Sequence, residues 1–96
     1  MSDWSLLTYH ANVLVCISGE PDIRLRDLAA RVNISERAVK RIVADLEKGG
    51  YLARERHGRR NHYEVNAAAT LNGPVAQGLQ LGALLSALLP MLAGSL

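Results

Sequence analysis

Residues Leu25 to Gly50 read LRDLAARVNISERAVKRIVADLEKGG, and the break at Asn33 decides how this stretch folds. A compact helix is expected over Arg26–Val32, with Leu28, Ala29 and Val32 on its inner face. Asp27 lies in its first turn, where negative charge complements the helix dipole. Asn33 follows, and Asn tolerates the positive φ that a tight helix-to-helix turn demands. Ser35 is a suitable N-cap for a third helix reaching Lys48, and Glu36 again favours the dipole. Val39, Ile42, Val43 and Leu46 recur at i, i+3, i+4 and i+7 on one face; Arg37, Lys40, Arg41 and Lys48 fall opposite. Gly49-Gly50 stops the helix where a left-handed residue is wanted.

Upstream, Trp4–Ser18 reads as a first helix, with Leu6, Tyr9 or His10, Val13, Leu14 and Ile17 at helical spacing and Gly19 and Pro21 closing it. Ile23-Arg24-Leu25 has room for a very short strand or an extended lead-in. Downstream, Tyr51–His57 and His62–Val65 read as two strands flanking Gly58-Arg59-Arg60-Asn61, a hairpin that gathers Arg54, Arg56, Arg59 and Arg60. Asn66 to Pro74 reads as a linker. Val75–Leu96 is expected to be a helix with Leu81, Leu84, Leu85, Leu88, Leu89 and Leu92 on a broad apolar stripe, kinked by Pro90. The expected fold is therefore mainly α with a small β-hairpin: helix, short strand, two helices, two strands, and a C-terminal helix. Residues 1–66 form one domain in this reading, 67–74 a linker, and 75–96 a separate apolar segment.

Ninety-six residues suffice for one small domain, and 49% apolar composition with no Phe requires a core of Leu, Val, Ile and Ala. The net charge of +2 conceals a strong asymmetry. All eleven Lys and Arg lie between Arg24 and Arg60, against five acids in the same window, a net of +6 there. Beyond Glu64 no side chain is charged. A basic centre with an uncharged tail points to a polyanion-facing surface and a separate associating segment. One cysteine, Cys16, excludes an intramolecular disulfide and fits a reducing compartment. Met1-Ser2-Asp3-Trp4 has no basic region of a secretory signal, and the apolar run 13–17 is short for its core, so a cytoplasmic location is expected.

Helix, three-residue turn, helix and basic hairpin together make a device for reading DNA. The second helix of such a pair fits the major groove and the first braces it, here through Leu28 and Val32 against Val39 and Ile42. Arginine suits bidentate contact with guanine, and the hairpin can lay arginines on the backbone or in the adjoining minor groove. The run Leu25–Val39, followed by Leu46-Glu47-Lys48-Gly49-Gly50-Tyr51-Leu52, resembles winged helix-turn-helix regulators of the MarR and IclR type over roughly Trp4 to Val65. The resemblance implies that Ser35, Glu36, Arg37, Lys40 and Arg41 lie on the DNA-facing side of the recognition helix, residues 35–48, and that Arg59 and Arg60 form the tip of a wing spanning residues 57–62. It implies a transcriptional regulator binding double-stranded DNA. Two departures stand out. Arg24 or Arg26 occupies the place where such helices commonly carry a capping Ser or Thr, and the chain lacks both the long flanking helices of MarR proteins and the effector domain of IclR proteins, which leaves any small-molecule effector unknown.

The leucine-rich tail is expected to be a homodimerisation helix using Leu81, Leu84, Leu85, Leu88 and Leu92, since so many leucines exceed what a small monomer covers. The competing reading is a protein-interaction or membrane-associating module, but Leu81–Leu92, the densest apolar run, is too short to span a bilayer. A buried structural thiol is expected at Cys16, with no cationic sequence neighbour to activate it. His10 is expected to hydrogen-bond locally. His57 and His62 flank the wing and can face each other, but two histidines without a third ligand make a poor metal site, so phosphate contact or simple exposure is expected. The sequence shows no phosphate loop, metal-ligand cluster or paired nucleophile and base, so neither enzymatic activity nor a metal or cofactor is expected.

Overall fold

The computed structural model describes residues 5–75 and 77–94 of the chain, with side chains described up to Pro90. Among the described residues four helices and one hairpin follow in order: α1 Tyr9–Gly19, α2 Leu25–Val32, α3 Glu36–Lys48, β1 Leu52–His57, β2 Arg60–Val65 and α4 Leu81–Gly94.

The first helix starts at Tyr9, later than its apolar periodicity suggests, and Trp4 lies outside the described residues. Thr8 sets that start: its backbone is extended and its Oγ1 accepts from the Ala11 N–H at 3.2 Å, satisfying an orphan donor of the first turn. Leu6 and Tyr9 consequently fall outside the core and are 87% and 57% exposed. Val13 to Ile17 are five consecutive buried residues, because α1 is the central helix, packed by α2, α3, α4 and β2 on different sides. His10 does not bond locally; its Nε2 meets Asp45 Oδ2 at 2.9 Å and joins α1 to α3. Cys16 is buried in the same layer, and burial pushes its thiol above its ordinary value near 9.0, outweighing the opposing pull of Arg31. A neutral, shielded thiol is a poor nucleophile, in keeping with a packing role.

No strand forms at Ile23–Leu25. Leu25 already opens α2, and a single backbone bond, Tyr63 N–H to the Pro21 carbonyl at 2.9 Å, takes the place of a third strand pairing. The two strands are antiparallel, Leu52 opposite Val65 through His57 opposite Arg60. Their connection is shorter than the four residues expected, since Gly58, at φ 65°, turns the chain tightly enough for Arg60 to enter β2. Leu52 and Tyr63, on one face of the hairpin, are buried; Glu55, His57, Arg60 and His62 share the other.

The segment after the hairpin is ordered by long-range backbone bonds. Tyr51 donates its hydroxyl to the Thr70 carbonyl and accepts from the Asn72 N–H, at 3.2 and 2.8 Å. Leu71 N–H bonds Leu79 O and Leu81 N–H bonds Ala69 O, both at 2.8 Å, so residues 69–71 and 79–81 run side by side. This pairing, with the glycine turn at Gly78 (φ 95°), delays the last helix to Leu81 rather than Val75. Leu81 and Leu85 then reach the main core at 1% and 6% exposure, with Leu88 and Leu89 packed partly against it. Leu84 is half-buried, and the Leu92 side chain lies outside the described ones.

Leu81 and Leu85, expected at a subunit interface, thus fill the core of their own chain; the physical reason is the face that α1 leaves apolar next to α4. Replacing Leu85 by Ala should lower stability by about 2–5 kcal/mol, as for other large-to-small core changes. An unchanged urea midpoint would show that α4 does not pack on α1.

Candidate nucleic-acid interface

The α2–α3 pair is locked by its turn. Asn33 adopts φ 64° and ψ 47°, the left-handed conformation, and is the only described non-glycine residue with positive φ. Ile34 N–H reaches back to the Ala29 carbonyl at 3.0 Å, and the Ile34 side chain packs against the core. A left-handed residue, a backward hydrogen bond and an apolar residue just beyond it make a Schellman-type helix stop. Two residues on, Ser35 begins α3: its Oγ accepts from the Ala38 N–H at 3.1 Å. The stop and the cap leave only Asn33, Ile34 and Ser35 between the helices, and this shortness fixes their crossing.

Burial sorts α3 into two faces. Val39, Ile42, Val43 and Leu46 are buried, each residue of this size contributing about 1.5–3 kcal/mol of transfer free energy. Glu36, Arg37, Lys40 and Arg41 are exposed on the surface, together with Ser35. The Ser35 hydroxyl is occupied as an acceptor but keeps its O–H to donate. Arg59 and Arg60 are exposed at the hairpin tip and begin β2, respectively.

A cleft of about 610 Å³ separates the hairpin tip from the helix pair, lined by Arg24, Arg26, Glu36, Arg59, Arg60 and Asn61 among others. It brings together residues that the sequence reading assigned to binding (Glu36, Arg59, Arg60) with two that it did not, Arg24 and Arg26. The signal for these two was present in the sequence. Arg24 stands at the N-cap of α2, where a guanidinium, a donor without an acceptor, cannot cap the helix N–H groups, and no described carboxylate pairs with it. In helix-turn-helix pairs the first helix crosses the nucleic-acid backbone, where such cations are useful.

The opposite fate befalls Arg54, which the sequence grouped with the tip arginines. Its Nε lies 3.4 Å from Glu47 Oε2 and ties β1 to the end of α3. Arg31 pairs with Glu20 at 3.5 Å. Among the described residues no other Lys or Arg has a carboxylate within ion-pair distance, so the remaining nine cations, most of them on α2, α3 and the hairpin tip, are open to an external anion. Fixed positive charge without internal counter-charge is the electrostatic footprint of a polyanion-binding surface. His57 and His62 do meet across the hairpin, with ring centroids 4.9 Å apart. His62 is engaged by Asp22, which lies forty residues away in sequence, beyond the reach of local spacing.

Residues 7–53 match the family of winged helix-turn-helix DNA-binding domains. No curated protein matches the chain by sequence. Among solved structures the chain is similar to ZitR of Lactococcus lactis, a zinc-responsive MarR family member, at 18% identity and a TM-score of 0.53 over 68% of this chain and 46% of that one. It is also similar to the PcaV transcriptional regulator of Streptomyces coelicolor, crystallised with its natural ligand, at 20% identity and a TM-score of 0.58 over 99% of this chain and 65% of that one. The chain thus spans about half the length of the first and two-thirds of the second. At such identities the likeness is one of fold, and it extends in the second case across α4.

The turn offers a direct check. Asn33→Gly should leave stability within a few tenths of a kcal/mol, because glycine adopts the same φ freely. Asn33→Val should cost about 1–2 kcal/mol, the penalty of a left-handed backbone for a residue with a Cβ, and more if the helix crossing shifts. Equal urea midpoints for the two variants would show that the left-handed turn carries no strain.

Proposed function

We propose, from the premise that this chain carries a domain of the winged helix-turn-helix DNA-binding family, that it is a transcriptional regulator acting on double-stranded DNA as a homodimer. The observation that carries the reading is the set of unpaired cations on α2, α3 and the hairpin, displayed around a helix pair whose crossing is fixed by Asn33. In this reading α3 enters the major groove. Arg37 reads base edges, Lys40 and Arg41 grip the groove walls, and Ser35 donates its free O–H to a phosphate. Glu36 faces the cleft and suits a cytosine amino group rather than a phosphate. Arg59 and Arg60, at the wing, engage the backbone or the edge of the minor groove, with Arg24 and Arg26 completing the phosphate contacts. In this reading the regulator works in the cytoplasm, and none of its roles calls for a cofactor or for catalysis.

The homodimer rests on apolar surface that the chain leaves uncovered. Leu6, Tyr9, Val75 and Leu79 are exposed, and all lie near the starts of α1 or α4. With Leu81 and Leu85 consumed in the core, the subunit contact proposed here uses these residues with Leu84 and Leu88. Two copies related by a twofold axis would present two recognition helices to a two-part operator. A membrane role finds less support, since no described helix is long and apolar enough to cross a bilayer.

Fluorescence anisotropy with the chain's own upstream DNA and a scrambled duplex, at two salt concentrations, tests the reading. Binding should prefer the upstream duplex and weaken steeply with salt, the slope of log K falling by about 1 for each phosphate contact removed, as in Arg59→Ala or Arg24→Ala. Arg37→Ala should instead erode discrimination, by about 1–3 kcal/mol for a lost bidentate base contact. Absence of binding to either duplex at low salt would overturn the DNA reading. Sedimentation equilibrium should give twice the 10.4 kDa chain mass at micromolar concentration; a monomer, with DNA binding intact, would overturn the homodimer alone.

A further inference from the structure

We propose that Asp22, His57 and His62 form a binding site for a divalent transition-metal ion of the Zn²⁺ class, which straps the hairpin to the turn between α1 and α2. One donor atom from each of the three residues lies within 4.8 Å of the other two. The donors come from three separate places in the chain: the turn before α2, the end of β1 and the middle of β2. Nothing in the local sequence joins them, and the fold brings them together through two fixed relationships. The β1–β2 register puts His57 and His62 on one face of the hairpin, on neighbouring strands. The Tyr63 N–H bond to the Pro21 carbonyl, at 2.9 Å, then holds the turn bearing Asp22 against β2, beside His62.

The chemistry of the set suits such an ion. Two imidazoles and a carboxylate are preferred donors for Zn²⁺ and its late first-row neighbours, and three protein ligands leave a fourth position for water. The imidazole rings are parallel within 9°, with centroids 4.9 Å apart. The Asp22 carboxylate lies 2.7 Å from His62 Nδ1, and a second carboxylate, Glu55, lies 3.6 Å from His57 Nε2. Glu55 is directly opposite His62 in the register, so it is placed to orient His57 or to occupy the fourth position. Two carboxylates balance a divalent charge. Arg60, opposite His57, is the one cation paired in register with these groups, and its long exposed side chain is free to extend into solvent.

Metal–ligand distances of about 2.0–2.1 Å require tetrahedral donors to approach within about 3.4 Å of one another. The present spread of up to 4.8 Å therefore needs a closing movement on the order of 1 Å for each side chain. His57 and Asp22 are both more than half exposed and can make it by side-chain rotation, while His62, the most buried of the three at 30%, serves as the anchor. Among the described residues one side-chain hydrogen bond and one backbone bond already join the turn to the hairpin, and the ion would reinforce that link.

The test uses the full chain without a purification tag, titrated with ZnCl₂ by calorimetry and with CoCl₂ by visible absorption. One ion per chain is expected, with the intense d–d bands of tetrahedral Co²⁺. His57→Asn and Asp22→Asn should each weaken binding at least tenfold while leaving the circular dichroism unchanged. His10→Asn, which removes the other His–Asp pair, and Cys16→Ser should leave the affinity as it was. Zn²⁺ should also raise the melting temperature of the parent chain and not that of His57→Asn. The proposal is overturned if no saturable binding occurs below about 100 µM Zn²⁺, a threshold at which one site would add little to stability. Binding that persists in both ligand variants, or that is lost in His10→Asn or Cys16→Ser, would overturn it equally.

Discussion

Everything the surface can do depends on the stop-and-restart of the backbone between Val32 and Glu36. A left-handed residue at Asn33, the Ile34 N–H bond to Ala29 and the Ser35 cap end one helix and begin another within three residues. With so short a turn, the inner faces of α2 and α3 are obliged to meet, and Leu28 and Val39 are both fully buried as a result. The outer face of α3 is then presented at a fixed angle. A longer or looser turn would keep both helices but lose the alignment of Arg37, Lys40 and Arg41 relative to the hairpin.

The rest of the molecule holds that unit in place. α1 passes beneath it and offers apolar surface on all sides, which explains how a domain of this size, almost without aromatic residues, assembles a core. The hairpin is braced against the helices by Arg54–Glu47 on the side of its buried face and by Asp22–His62 near its outer edge. The first of these pairs uses its charges for geometry rather than for holding DNA, and so removes Arg54 from the pool of free cations. α4 closes the bottom of the core through Leu81 and Leu85, joined to the hairpin by the Tyr51 hydroxyl, which bonds the returning chain at both Thr70 and Asn72.

The parts read well from the sequence are those set by local chemistry. The bounds of α3 follow from Ser35, Glu36 and Gly49-Gly50, and its two faces from a four-residue apolar stripe; the structure agrees on each. The missing cap on α2 was equally visible in Arg24. Local periodicity failed where a single polar atom or a distant strand decided the outcome. Behind the Thr8 cap α1 starts at Tyr9, three residues after the apolar pattern begins at Leu6, and the pairing of residues 69–71 with 79–81 delays α4 to Leu81. The destination of the leucines was beyond reach for the same reason: periodicity shows that α4 has an apolar face, not that α1 covers part of it. Asp22 could not be matched to His57 and His62 because the contact depends on the Pro21–Tyr63 backbone bond, across more than forty residues.

The central claim is that α3 and the hairpin, acting together, form the nucleic-acid surface. Amide chemical shifts of the ¹⁵N-labelled chain, followed during titration with a short duplex at low salt, test it residue by residue. The account predicts perturbations concentrated at Ser35–Arg41 and Gly58–Arg60, with a smaller set at Arg24–Arg26 and none at Leu81–Leu89. Shifts confined to α4, or spread evenly over all exposed residues, would contradict it.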